Sequence, residues 1–336
     1  MKLSDLAFSD LFATEIAATS WFKATPSSLN VQTIPPDCEA ELLELRRHLE
    51  TRSGSNAFRV DWPDAAGLRL RVERMHIAGD KVVYVCRRFS LKPGTLTSLG
   101  VPNGIADRLL APELNEGLIV ICGKAGSGKS TTAASFITER LHRFGGVCWT
   151  IENPIELPLQ GSHGKGWCYQ TEASNDDDIG PAVRNMLRAT PNILLIGELR
   201  DGLAVREAIA AATSGHLVVV TFHAADLVSG IARLARLAGG DKASAGIADA
   251  LRVAMHLSLH ISQSHEEQGS HFPGAVHAGL AAKVSNAPSR VLMVEPLWMS
   301  GSTEEGLRSI VRDGDFQLLK SEVERQRRSF QMGRLP

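Results

Sequence analysis

The sequence predicts an α/β protein: a mostly parallel sheet covered by helices on both faces, preceded by a smaller α+β domain. Three observations carry that prediction. Leu118-Ile119-Val120-Ile121, Ile193-Leu194-Leu195-Ile196 and Leu217-Val218-Val219-Val220 are short continuous apolar runs bounded by glycine or polar residues and followed by helical patterns. Strands buried on both faces between helices read this way. A turn-rich stretch from Lys92-Pro93-Gly94 through Val101-Pro102-Asn103-Gly104 to Ala111-Pro112 divides the chain. Before it, Gly67-Leu68-Arg69-Leu70-Arg71-Val72-Glu73 alternates apolar and charged residues, as a half-buried strand does.

The elements follow in order. Residues 1–18 space apolar residues around Asp5, Asp10 and Glu15 at helical intervals. They lack the basic and apolar blocks of a secretory signal, so none is expected. Residues 39–50 read as a helix with Leu42, Leu45 and Leu49 on one face, and 81–86 as a second strand of the small domain. The expected division is a domain over 1–97, a linker over 98–113 and a second domain over 114–336. Within the second domain, 131–144 reads as a helix and 147–151 as a strand. Residues 253–261 and 290–299 read as later strands, around an exposed polar loop at 262–271.

Composition narrows the function classes. At 336 residues, the chain has room for about two domains of ~150 residues. Its 36 basic and 37 acidic side chains leave a net charge of −1, which gives no global attraction to nucleic acid or an anionic membrane. The five cysteines, Cys38, Cys86, Cys122, Cys148 and Cys168, are odd in number and form no CxxC, so neither a disulfide framework nor a four-cysteine zinc site is indicated. A reducing cytoplasm is the expected compartment. No run approaches the ~18 apolar residues of a membrane span, so membrane work is expected to pass through partners.

The chemistry starts at Gly123-Lys124-Ala125-Gly126-Ser127-Gly128-Lys129-Ser130, a full G-x-x-x-x-G-K-[ST] match between an apolar strand and a helix that begins near Thr131. Backbone N–H groups of such a loop turn inward around phosphates at the positive end of a helix. Lys129 is then expected on the β/γ oxygens of ATP and the Ser130 hydroxyl on Mg²⁺. At the end of the 193–196 strand, Gly197 stands where many such enzymes carry a metal-orienting Asp. Glu198 is therefore the candidate to orient or deprotonate water, with pairing to Arg200 as the ordinary alternative. Thr150-Ile151-Glu152-Asn153-Pro154-Ile155-Glu156 places Glu152 after a neighbouring strand, as a source of the missing metal charge. His216 and His223 bracket the 217–220 strand and suggest a sensor of phosphate loss.

These four elements in this order resemble the secretion ATPase superfamily, which drives type IV pili and type II and type IV secretion. The resemblance runs from about residue 114 to 236 and is looser beyond. Residues 152–156 resemble its acidic box, 193–201 its Walker B region and 214–223 its His box. Arg69-Leu70-Arg71-Val72 and Cys86-Arg87-Arg88 resemble its arginine-bearing strands. The resemblance implies a PAS-like N-terminal α+β domain, a RecA-like P-loop NTPase domain and a homohexameric ring. It also implies that Arg69, Arg71 and Arg87 approach nucleotide across a domain or subunit junction. Asn153 departs from the usual Asp of the acidic box, Ser214 stands where Thr is common, and 304–312 matches the retraction motif only loosely. The absence of CxxC pairs and the short first domain point to the PilT- and DotB-like short subclass.

The expected function is a cytoplasmic ATPase powering a type IV secretion, conjugation or pilus machine, docked on an inner-membrane platform or secretion-channel proteins. A retraction motor proper, a RecA-like nucleic-acid translocase and a weakly hydrolysing ATP-binding subunit are the alternatives. The near-zero net charge and the short Arg325-Gln326-Arg327-Arg328 run, preceded by Glu324, argue against nucleic acid as a partner.

Overall fold

The computed structural model describes residues 2–24, 30–52, 56–63, 67–88, 93–262 and 289–332. It divides into two compact units, Met1–Lys92 and Pro93–Pro336.

The first unit is an antiparallel sheet with one long helix. In chain order come β1 (Asp10–Ala13), β2 (Trp21–Lys23), β3 (Gln32–Thr33), α1 (Pro36–Glu50), β4 (Ala57–Trp62), β5 (Leu68–Ile77) and β6 (Lys81–Arg88), and the sheet order is β3-β2-β1-β6-β5-β4. Helix α1 starts three residues before the expected Glu39 because Pro36 occupies its first turn, where a missing N–H costs nothing. Its Leu42, Leu45 and Leu49 are fully buried in one core with Leu11, Leu70, Val72 and Cys86.

The helical spacing of residues 1–18 does not produce an α-helix. Short 3-10 turns at Leu3–Asp5 and Ala17–Thr19 flank β1 instead. So short a segment gains more from pairing with β2 and β6 than from an isolated helix, whose nucleation is costly.

In the second unit the elements are α2 (Asn103–Leu109), β7 (Gly117–Gly123), α3 (Lys129–Phe144), β8 (Gly146–Glu152), β9 (Gly161–His163), β10 (Gly166–Glu172), α4 (Ile179–Met186) and β11 (Ile193–Ile196). Then come α5 (Gly202–Thr213), β12 (Leu217–His223), α6 (Leu227–Ala238), α7 (Asp241–Ala250), β13 (Leu251–Ser262), β14 (Ser289–Trp298), α8 (Glu304–Asp313) and α9 (Leu319–Gln331). The sheet runs β14-β13-β7-β12-β11-β8-β10-β9, with parallel pairs from β13 to β10 and an antiparallel strand at each edge.

Strands β7, β11 and β12 are buried on both faces, and successive residues feed opposite layers. Leu118, Val120, Ile196, Val218 and Val220 pack with α4 to α8, while Ile119, Ile121, Leu195 and Val219 pack with α2 and α3.

The Pro- and Gly-rich stretch 98–113 is built into this unit: Val101, Ile105 and Leu109, together with Leu96, are buried against α3. Ile105 and Leu109, four residues apart, share one face of α2, and Val101 precedes it, a pattern visible only once the turns around it are set aside. The polar loop expected over 262–271 lies outside the described residues except for Ser262, the last residue of β13.

Candidate functional site

Strand register brings the chemistry to one sheet edge. His223 pairs with Gly123, Val220 with both Val120 and Ile196, and Ile196 with Ile151. The carboxyl ends of β7 and β12 are thus level, and β11 and β8 end two to three residues earlier on the same side of the sheet. The loops leaving these four strands lie at the edge where open α/β sheets bind ligands.

The loop after β7 closes on the first turn of α3. Gly128 caps α3 with a φ of 92°, and Gly126 has a φ of 74°, conformations that side-chain-bearing residues rarely adopt. Ala125 and Gly126 are exposed, Ser130 and Thr131 half-buried, and Ser127 and Lys129 buried. Lys129 Nζ donates to the carbonyls of Gly123 at 3.2 Å and Lys124 at 2.9 Å, and lies 3.5 Å from His223 Nδ1. Burial pushes the Lys129 ammonium below its ordinary range, opposed by Glu198 and Glu156.

Glu198 is engaged through both oxygens. His223 Nε2 lies 3.0 Å from Oε1, and Arg200 Nη2 donates to Oε2 at 2.7 Å. The ordinary pairing with Arg200 therefore exists, but beside the histidine rather than in its place. His216 sits at the opposite end of β12, with its Nδ1 3.3 Å from the Ala211 carbonyl. The two histidines bracketing β12 are therefore not brought together.

Glu152 is buried at 7% exposure, with Thr150 Oγ1 donating to Oε1 at 2.8 Å and Gln170 Nε2 at 2.9 Å. Burial pushes its carboxyl above the ordinary range, and those two donors pull it back. A Cβ on Gly197 would stand 2.9 Å from Glu152 Cγ, so the glycine at the end of β11 makes room for that side chain. Asn153 donates its side-chain amide to Asp176 Oδ1 at 3.0 Å.

Four supporting residues are given no role by the sequence motifs, although Thr150 and Thr221 lie beside or within them: Thr150, Gln170, Asp176 and Thr221, whose hydroxyl donates to the Gly197 carbonyl. The acidic run at 176–178 is the one visible hint; the others depend on strand register.

Arg69, Arg71 and Arg87 belong to the first unit. Arg69 holds Asp61 through two bonds of 2.7 and 3.1 Å, and Arg87 holds Asp10 at 2.8 Å. Arg71 stands between Arg59 and Arg87 in the register of β4, β5 and β6. The row continues to Asp10 opposite Arg87, so its basic residues are partly neutralised within the sheet.

A phosphate-loop motif after a central strand, with acidic and histidine elements on the same edge, defines a RecA-like domain that follows an α+β domain in the chain. The chain belongs to the Type II/IV secretion system protein family, which it matches over residues 58–330. It is 36% identical over 136 residues to the type II secretion system protein HxcR of Pseudomonas aeruginosa, covering 39% of this chain and 28% of that protein. With the type IV pilus ATPase PilU of the same organism it shares 29% identity over 238 residues, covering 68% of this chain and 59% of PilU. The chain thus spans less than two thirds of the length of either relative.

Among solved structures, the pilus retraction motor PilT with bound ADP superposes at a TM-score of 0.70 with 24% identity, covering 96% of this chain and 87% of PilT. The Legionella pneumophila ATPase DotB superposes at 0.68 with 19% identity, covering 98% and 89%. Both show the shared fold. Among the described residues no helix is long and apolar enough to cross a membrane.

Proposed function

We propose that this protein is a ring-forming ATPase that powers a type IV secretion, conjugation or pilus machine from the cytoplasmic side of the inner membrane. The observation that carries the reading is the connection from Lys129 through His223 to Glu198, made by contacts of 3.5 and 3.0 Å. It joins the phosphate loop to the strand-end carboxylate, and it needs the parallel register of β7, β12 and β11.

The residues present fit ATP with Mg²⁺. Ser127 Oγ is buried in the phosphate loop without a hydrogen-bond partner, so the cradle has polar capacity to spare. Mg²⁺ on a nucleotide is bound largely by phosphates and water, so it asks for few protein ligands. Ser130 and Glu152 are the residues that would hold Mg²⁺, and the ion when bound neutralises charge on the β- and γ-oxygens.

In this reading the loop amides and Lys129 bind the phosphates. Glu198 orients the attacking water and accepts its proton, while His223 reports the γ-phosphate to β12. Arg69, Arg71 and Arg87 complete the charge around the nucleotide in the homohexamer. Changes in those contacts then move the assembly against a membrane platform or secretion-channel proteins. The intact Glu198 favours turnover over a purely regulatory role. Lys129→Ala is expected to abolish Mg²⁺-dependent ATP hydrolysis by the purified protein; undiminished hydrolysis would refute the assignment.

A further inference from the structure

We infer that Asp176 is a positioning residue for ATP hydrolysis, acting through Arg200 on Glu198; this rests on the ATPase reading above. Asp176 lies outside every motif the sequence displays. After β10, which runs parallel to β8 with Glu172 opposite Glu152, the chain continues beside the acidic loop through the bond from Ala173 N to the Glu152 carbonyl, 2.9 Å. Asn175 then caps a 3-10 turn by accepting from Asp178 N at 3.1 Å, and Asp176 is the first residue of that turn.

Both carboxylate oxygens of Asp176 are used. Oδ1 accepts the Asn153 amide at 3.0 Å, and Oδ2 faces Arg200 Nη1 at 3.4 Å. A carboxylate can only accept here, so the Asn153 side chain must turn its NH₂ towards it. Arg200 uses its other terminal nitrogen on Glu198 Oε2 at 2.7 Å. The guanidinium is planar and rigid, so fixing one nitrogen fixes the direction of the other. Asp176 thereby sets where Arg200 presents itself to Glu198, and Asn153 sets where Asp176 stands.

This gives the departure at residue 153 a physical sense. The negative charge expected in the acidic box is carried at this point by Asp176, across a hydrogen bond. A carboxylate at 153 would face Asp176 at the same separation and repel it. Asn153 is therefore a matched donor, and Glu198 keeps a cationic neighbour whose orientation is fixed from behind.

The test is a double-mutant cycle on assembled full-length protein with Mg²⁺-ATP as substrate. Asp176→Asn is isosteric and part-exposed, and is expected to lower kcat up to about fivefold, the effect of losing an exposed ion pair worth at most roughly 1 kcal/mol. KM is expected to stay within about twofold, because Asp176 acts through Arg200 and not on the phosphates. In an Arg200→Gln background the same change is expected to alter kcat less than about twofold, since its only route to Glu198 is gone. Asn153→Asp is expected to depress kcat as an independent perturbation of the same contact. Equal losses from Asp176→Asn in both backgrounds, or an unchanged kcat in an active wild-type background, would overturn the positioning role alone. Assembled wild-type protein with no Mg²⁺-dependent turnover would overturn the ATPase reading and this role with it.

Discussion

Replacing Gly197 by alanine tests how the acidic loop is seated against β11. The added Cβ would meet three atoms of one residue: Glu152 Cγ at 2.9 Å, Cα at 3.2 Å and Cβ at 3.2 Å. A flexible tip could swing aside, but Cα and Cβ are the stem of the side chain and move only with the backbone. Relief therefore requires the end of β8 to shift. The φ of Gly197 lies outside the left-handed region, so the cost is steric and not conformational. Overpacking of this kind costs about 1–3 kcal/mol. For a unit of this size each kcal/mol moves Tm by roughly 2–4 °C, so a fall of roughly 2–12 °C is expected by calorimetry or circular dichroism. Gly306, in the first turn of α8, is the control: its Cβ would meet nothing within 4 Å. Gly306→Ala is expected to stabilise by roughly 0.4–1 kcal/mol through loss of unfolded-state entropy. A Gly197→Ala protein as stable as wild type would refute the packing of Glu152 over the glycine, and with it the reason for glycine at the strand end.

Two further predictions concern buried and capping groups. Asp226 caps α6, accepting from Ser229 N at 2.9 Å, and that bond holds its carboxyl below the ordinary value of 3.8. A carboxylate lowered on folding stabilises above its unfolded pKa and loses that contribution as pH falls through the folded value. Asp226→Ala should therefore cost about 1 kcal/mol at neutral pH, with the gap to wild type narrowing below about pH 4, as read by urea titration at several pH values. The five cysteines are all buried, and burial pushes the Cys86 and Cys122 thiols up to about 12. A thiol reagent at pH 8 should modify none of them in the native protein and all of them in denaturant; fast native labelling at Cys122 would contradict the packing beneath the phosphate loop.

The parts of this molecule legible in its sequence are the local ones. The phosphate loop carries its own glycines, lysine and hydroxyl in eight consecutive residues. β7, β11 and β12 announce themselves because both faces are buried, which removes polar alternation. Helix α1 shows its Leu42, Leu45 and Leu49 stripe directly. The rest needs partners distant in the chain. β1 reads as helical until pairing with β6 decides otherwise. Asn192 and Gln170 illustrate the difficulty within the second unit, since Asn192 caps Val147 N from 45 residues away and Gln170 reaches Glu152 only through the β8–β10 register. Glu198 is visible as a carboxylate at a strand end. Its double engagement by Arg200 and His223 is not, because His223 lies 25 residues on and meets it only when β11 and β12 align. Asn153 looks like a lost charge in the sequence because its partner, Asp176, lies beyond the β9–β10 hairpin.

The most direct test of the ring-ATPase reading is Mg²⁺-dependent phosphate release measured against protein concentration, with the oligomeric state of the same samples determined by light scattering and Glu198→Gln as control. The reading predicts turnover that rises as hexamers form and disappears in the variant while assembly persists. Turnover by monomers at full rate, or a Glu198→Gln protein as active as wild type, would contradict it.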